Sequence, residues 1–228
     1  MRTKTLLCAA ALAAGVATSM AQSNVYSLNV VGYVNVTTTG GGNFNLIANP
    51  LNNTNNSITN LFSVAQDGDQ IYRWNKGVQD LDGTIYTYST FLAKWDGNFT
   101  LLPGESVFYL NAGGNRTNTF VGEVIQGPYT NSTLGGTTIL GGGNFNMVAS
   151  SAPIGGSFTN STVGLPPSDG DQVYTWNVGA QDLDGNIATY SSFLAKWDNT
   201  AIAVAPAIGF FYLGAGGNLT WVRNFTVQ

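Results

Sequence analysis

Asp67–Asp96 reads DGDQIYRWNKGVQDLDGTIYTYSTFLAKWD, and Asp169–Asp198 reads DGDQVYTWNVGAQDLDGNIATYSSFLAKWD. The two stretches are identical at twenty-three of thirty positions without a gap, so the chain carries one unit twice. Within Gln70–Trp74, alternation places Tyr72 and Trp74 on one face of a strand and Ile71 on the other. Matching blocks flank the unit on both sides. GGGNFN occurs at Gly40–Asn45 and Gly141–Asn146, and Phe108-Tyr109-Leu110 returns as Phe211-Tyr212-Leu213. The alignment offset drifts by single residues only where loops are expected, which is where insertions are tolerated.

Short β-rich segments separated by Gly, Asn and Asp predict an all-β chain. The expected fold is two tandem pseudo-symmetric β-sandwich or small β-barrel repeats. The expected divisions are 1–21 signal peptide, 22–36 N-terminal strand, 37–124 first repeat, 125–136 linker and 137–228 second repeat. Ile58, Leu61 and Phe62 suit one helical turn plugging an end of the first core. Asn75–Gly83 reads as a loop, with Ile85–Ser89 as the hairpin partner of Gln70–Trp74. In Asn24–Val36, Tyr26, Leu28, Val30, Gly32, Val34 and Val36 share one face of a long strand. It serves either as the first strand of the first sheet or as a donor strand completing a neighbour.

Hydrophobic residues make up 43% of the chain, enough for a packed core, and charged residues only 9%. Arg2 and Lys4 followed by the apolar run Leu6–Val16 and small residues near Ala21 predict a cleaved signal peptide, hence export. The one cysteine, Cys8, falls inside it, so the exported chain has no disulfide. Six basic residues then face twelve acidic ones, a balance that offers no footprint for nucleic acid. The apolar run is too short for an integral membrane span, and strands of five or six residues are too short for an outer-membrane barrel.

The duplicated Asp80-Leu81-Asp82-Gly83 and Asp182-Leu183-Asp184-Gly185 are the metal candidates, because alternate carboxylates on a tight turn can converge on calcium. Neither register matches an EF-hand: position 12 falls on Ser89 or Phe91, and on Ser191 or Phe193 in the second copy. An irregular site built from Asp80, Asp82, Asp182 and Asp184, with Asp67, Asp69, Asp169 and Asp171 as further donors, stands against a plain pair of Asx turns. Trp74, Trp95, Trp176 and Trp197 are the ligand candidates: a flat indole beside Asp or Asn can stack on a sugar. Their alternative role is core packing. Without histidine, and without cysteine beyond residue 21, Ser-His-Asp, Cys-His and ordinary zinc centres cannot be assembled. Glu105 and Glu123 are the only glutamates and have no counterpart in the second copy; residue type alone still allows an Asp–Glu glycosidase pair, and a Ser192–Lys196 dyad stands against salt bridges from Lys94 and Lys196 to Asp96 and Asp198.

VYSLNVVGYVNV at 25–36, FNLIANPL at 44–51, DGDQIY at 67–72 and LLPGESVFYL at 101–110 together resemble a group of exported two-copy β proteins of Gram-negative bacteria. The resemblance implies secretion and a β fold and brings no activity, ligand or cofactor with it. The second copy departs from the pattern, with Ser150-Ser151 for Asn49-Pro50 and Ala205-Pro206-Ala207 for Leu102-Pro103-Gly104. The expected function is therefore non-enzymatic: an exported structural or binding protein of the cell surface or matrix, associating with itself through strand edges. A carbohydrate-binding module using the duplicated aromatics is the alternative, and a glycoside hydrolase the second alternative.

Overall fold

The computed structural model describes residues 30–129, 137–158 and 163–225. The expected signal peptide and the first residues of the N-terminal strand lie outside them. The first repeat runs β1 Val31–Thr38, β2 Asn43–Ala48, α1 Ile58–Leu61, β3 Gln70–Asn75, β4 Asp80–Ser89, β5 Lys94–Trp95, β6 Ser106–Asn111 and β7 Arg116–Glu123. The second begins with β8 Gly127–Tyr129, β9 Thr137–Ile139, β10 Asn144–Val148 and β11 Gly156–Ser157. It continues through β12 Gln172–Asn177, β13 Asp182–Ser191, β14 Lys196–Trp197, β15 Ala203–Val204, β16 Phe210–Gly214, β17 Leu219–Trp221 and β18 Arg223–Phe225.

Each repeat is built on a five-stranded antiparallel sheet of the same order, β2-β6-β3-β4-β5 and β10-β16-β12-β13-β14. The all-β, two-copy architecture is thus as the duplicated sequence predicts. One face of the first sheet presents Ile47, Ile71, Val107 and Tyr109 to Val36 and Phe120 of the β1–β7 ribbon, which makes a small sandwich. The helical turn α1 closes its end with Ile58, Leu61 and Phe62, all buried. Among the described residues no helix is long and apolar enough to cross a membrane.

Two stretches differ from expectation. The 125–136 segment is not a spacer throughout, because β8 lies within it and pairs with β18, while β9 pairs with β17. Together they hold the place that unbroken β1 holds against β7. Its Gly and Pro read as loop, yet proline is tolerated in an edge strand, where its missing N–H costs no ladder bond. Asn75–Gly83 is likewise not loop throughout. Residues 76–79 make the turn between β3, which ends at Asn75, and β4, which starts at Asp80 with a register shift between Tyr72 and Trp74 of β3. Gly83, at φ 80°, absorbs the surplus residues as a bulge.

Asp69 and Asp171 organise the two cores. Asp69 is fully buried and accepts bonds from the N–H groups of Gln66 and Ala112, the Tyr109 hydroxyl and the Arg116 guanidinium. Asp171 accepts the matching three bonds from Ser168, Tyr212 and Ala215. Leu219 stands where the first copy has Arg116.

Burial first, then the bond to the aspartate, pushes both tyrosine hydroxyls well above their usual value near 10. Unfolded tyrosines lose protons near that pH while these two keep theirs. The unfolded state then binds fewer protons, so stability is full below about pH 10 and falls as pH rises further. The urea midpoint is expected to drop between about pH 9 and about pH 11. A midpoint constant over that range would show that neither hydroxyl is held in its protonated form by the fold.

Candidate functional site

The second face of each five-stranded sheet decides the fate of the candidate tryptophans. Tyr72 and Trp74 leave β3 on the side opposite Ile71, and that side is covered by the other repeat. Leu46, Phe108 and Trp74 of one copy meet Met147, Phe211, Phe145 and Trp176 of the other. The rings of Trp74 and Phe211 meet edge-on at 5.3 Å, and those of Phe108 and Trp176 at 4.8 Å.

The interface is a near-perfect exchange. The Trp74 indole N–H donates to the Phe145 carbonyl at 3.0 Å, and that of Trp176 to the Phe44 carbonyl at 2.9 Å. The Gln79 side chain accepts from the Phe145 N–H at 2.6 Å and donates to its carbonyl at 3.1 Å. Gln181 does the same for Phe44, at 2.7 and 3.3 Å. Gln79 and Gln181 sit at φ 64° and 54°, a region that disfavours residues with a side chain. The amides so placed occupy the outer edges of β2 and β10, which offsets that cost. Further along, Ala48 N–H donates to Ala207, Gly209 N–H to Leu46, and Ala149 N–H to Gly104. Both sheet edges are consumed by the contact between copies.

The remaining tryptophans correct the sugar-platform reading. Trp95 is 4% exposed and Trp197 5%, each inside its own core, where no sugar ring can reach the indole face. Core packing is one of the two readings their sequence allows, and a strand of two residues has no alternation to choose between them. The exposed aromatics are others, among them Tyr33 of β1 and, both 93% exposed, Phe91 and Phe193 at the tips of the β4–β5 and β13–β14 turns.

The duplicated carboxylates are spent locally. Asp80 accepts the Leu81 N–H and Asp82 the Thr84 N–H, and Asp182 and Asp184 do the same for Leu183 and Asn186. Asp82 also lies 3.9 Å from Arg73. Asp67 and Asp169 hold the next turn, accepting the N–H of Thr90 and of Ser192, and Asp69 and Asp171 are buried in their own networks. Among the described residues no three acidic side chains converge as a metal group would require. The irregular calcium site is therefore not assembled from these eight residues, and the Asx-turn reading accounts for the pattern.

Two other features emerge from the folded chain. A pocket of about 190 Å³ opens between the copies, lined by Arg73, Trp74, Lys76, Glu105 and Ser106 on one side and Thr138, Asn146 and Met147 on the other. The Lys76 ammonium donates to the Thr138 carbonyl at 2.8 Å, and the Glu105 carboxylate accepts the Leu102 N–H at 2.7 Å. Desolvation raises the Glu105 pKa, opposed by that N–H and by the nearby Arg73 and Lys76. No aspartate lines the pocket, so Glu105 lacks the second carboxylate of a glycosidase pair there.

The second feature is the outer edge of β1. Val124 N–H donates to Val30, so Val30, Gly32, Val34 and Val36 point their backbone groups at β7 and Val31, Tyr33, Asn35 and Thr37 point theirs away. Those outward groups have no partner among the described residues. A groove of about 520 Å³ runs beside them, walled by Pro153, Ala205, Pro206 and Ile208 of the second repeat.

No protein-family model, curated protein or solved structure matches this chain.

Proposed function

We propose that the protein is an exported, non-catalytic structural component that associates with a second copy of itself through β1. The observation that carries this reading is the unguarded edge of that strand. The other edges of the two five-stranded sheets are capped, charged or irregular: β4 and β13 pair with β5 and β14 over only two residues each, and the rest of each strand carries two aspartates and a register shift. β2 and β10 are capped by the opposite repeat, and β5 and β14 are two residues long and begin with Lys94 and Lys196. The far side of β7 is bonded at its C-terminal end by Asn52 and Asn53, which meet Glu123 and Val121. β1 has eight residues with no proline, lysine or bulge, and Tyr33 stands 72% exposed along it.

Two such strands related by a two-fold axis pair antiparallel, with Val31 against Thr37 and Tyr33 against Asn35, an isologous contact that closes at the dimer. A non-catalytic role is supported by the carboxylates, since the aspartates hold turns and cores. Export rests on the charged, apolar and small-residue pattern of 1–21.

The test is sedimentation of the purified protein over a wide concentration range. A Tyr33→Pro variant removes one outward N–H and leaves the β1–β7 ladder intact, because that N–H does not face β7. It is expected to raise the dimer dissociation constant about tenfold or more, and Tyr33→Lys to act the same way as an edge guard. A wild-type protein that stays monomeric at every concentration would refute the proposal. So would a dimer that both variants leave unaltered.

A further inference from the structure

The pocket between the repeats is where the two copies part company. Of the thirty aligned positions in the duplicated unit seven differ, and only two of those change charge: Arg73 against Thr175 and Lys76 against Val178. Both line the pocket, as do Glu105 and Ser106, whose counterparts are Ile208 and Gly209. The scaffold has brought four of its differences in charge and polarity to one spot. Of the six basic residues beyond the first 21, two are here, in a chain with twice as many acidic residues as basic ones.

The chemistry of the site is specific. Of the charged groups that line the pocket two are cations and one is a carboxylate, an excess of plus one that a monoanion neutralises; Asp82, 3.9 Å from Arg73, lies outside the lining. Ser106 is 7% exposed and lines the pocket, and its hydroxyl oxygen is buried with no hydrogen-bond partner among the described residues. A buried polar atom without a partner costs stability unless a ligand or water satisfies it. One Glu105 oxygen holds the Leu102 N–H, and the carboxyl retains capacity for a hydroxyl. The volume of about 190 Å³ corresponds to roughly six waters at about 30 Å³ each, the size of a single sugar ring.

We infer that this pocket binds a small polyhydroxylated monocarboxylate, of the class of hexuronic acids. Arg73 and Lys76 take the carboxylate, while Ser106 and Glu105 take ring hydroxyls. The site is independent of the β1 edge, and its failure would leave the proposed self-association untouched.

Calorimetric titration tests it, using glucuronate and galacturonate alongside glucose, the methyl ester of glucuronic acid and glycine. Saturable binding of a hexuronate at millimolar concentration is expected, with the neutral sugar and the ester weaker by about tenfold or more. The double variant Arg73→Thr, Lys76→Val installs the residues that the second repeat already carries at the same places, and is expected to abolish hexuronate binding while the circular dichroism stays unchanged. Absence of saturable hexuronate binding would overturn the inference, as would equal binding of acid and ester. A preference for glycine would replace the sugar acid with a zwitterion and overturn it too. The ligand series stands even if the double variant fails to fold.

Discussion

Asp69→Ala is expected to destabilise the protein by about 3–5 kcal/mol, the range for breaking a buried charge pair by removing one partner. The carboxylate is fully buried and gathers four donors from three separate parts of the first repeat. Its removal leaves the Arg116 guanidinium, with a side chain only 11% exposed, facing a hole instead of an anion. The second repeat shows how the scaffold manages without that cation, since Leu219 holds the place of Arg116. The double variant Asp69→Ala, Arg116→Leu should therefore recover part of the loss, about 1–3 kcal/mol, by removing the stranded charge. Urea unfolding of the three proteins measures both quantities. A single variant that loses less than about 1 kcal/mol would mean that the network is ornamental to stability.

The second large effect is expected at Phe211→Ala. This side chain is buried at the centre of the contact between repeats, with Trp74, Phe108 and Phe145 around it at ring distances of 5.3, 5.9 and 6.2 Å. Truncating a buried phenylalanine costs about 3–5 kcal/mol through lost transfer energy and the cavity left behind. Here the loss falls on the coupling between two units that each own a core. Calorimetry should change from one cooperative transition in the wild type to two in the variant, because the repeats no longer unfold as one. A single transition at the wild-type temperature would show that the exchanged Gln79 and Gln181 bonds, not the aromatic cluster, join the copies.

The duplicated stretch illustrates why some of this was legible. Alternation along Gln70–Trp74 separates Ile71 from Tyr72 and Trp74, and that division holds in the folded protein. The α1 turn is also readable, because Ile58, Leu61 and Phe62 fall at helical spacing between polar asparagines. The role of Trp74 is not readable. Local pattern states that a second face is aromatic, but not whether water, a sugar or protein covers it. The same limit applies to Asp80-x-Asp82-Gly83. The motif suits a cation loop and a bulged turn equally well, and only the distance to other carboxylates separates them.

What the amino-acid order determined alone is therefore local and repetitive: a unit copied in tandem, strands with two distinct faces, and the want of histidine, and of cysteine beyond residue 21, for familiar catalytic centres. The tertiary structure decided which of two aromatic faces became a seam between copies, which backbone edge stayed open, and where four diverged residues came together around one pocket. The physical reason is the range of the forces involved. Alternation and turn chemistry act over a few neighbouring residues, whereas burial, edge pairing and pocket charge depend on groups that approach only after the chain has folded.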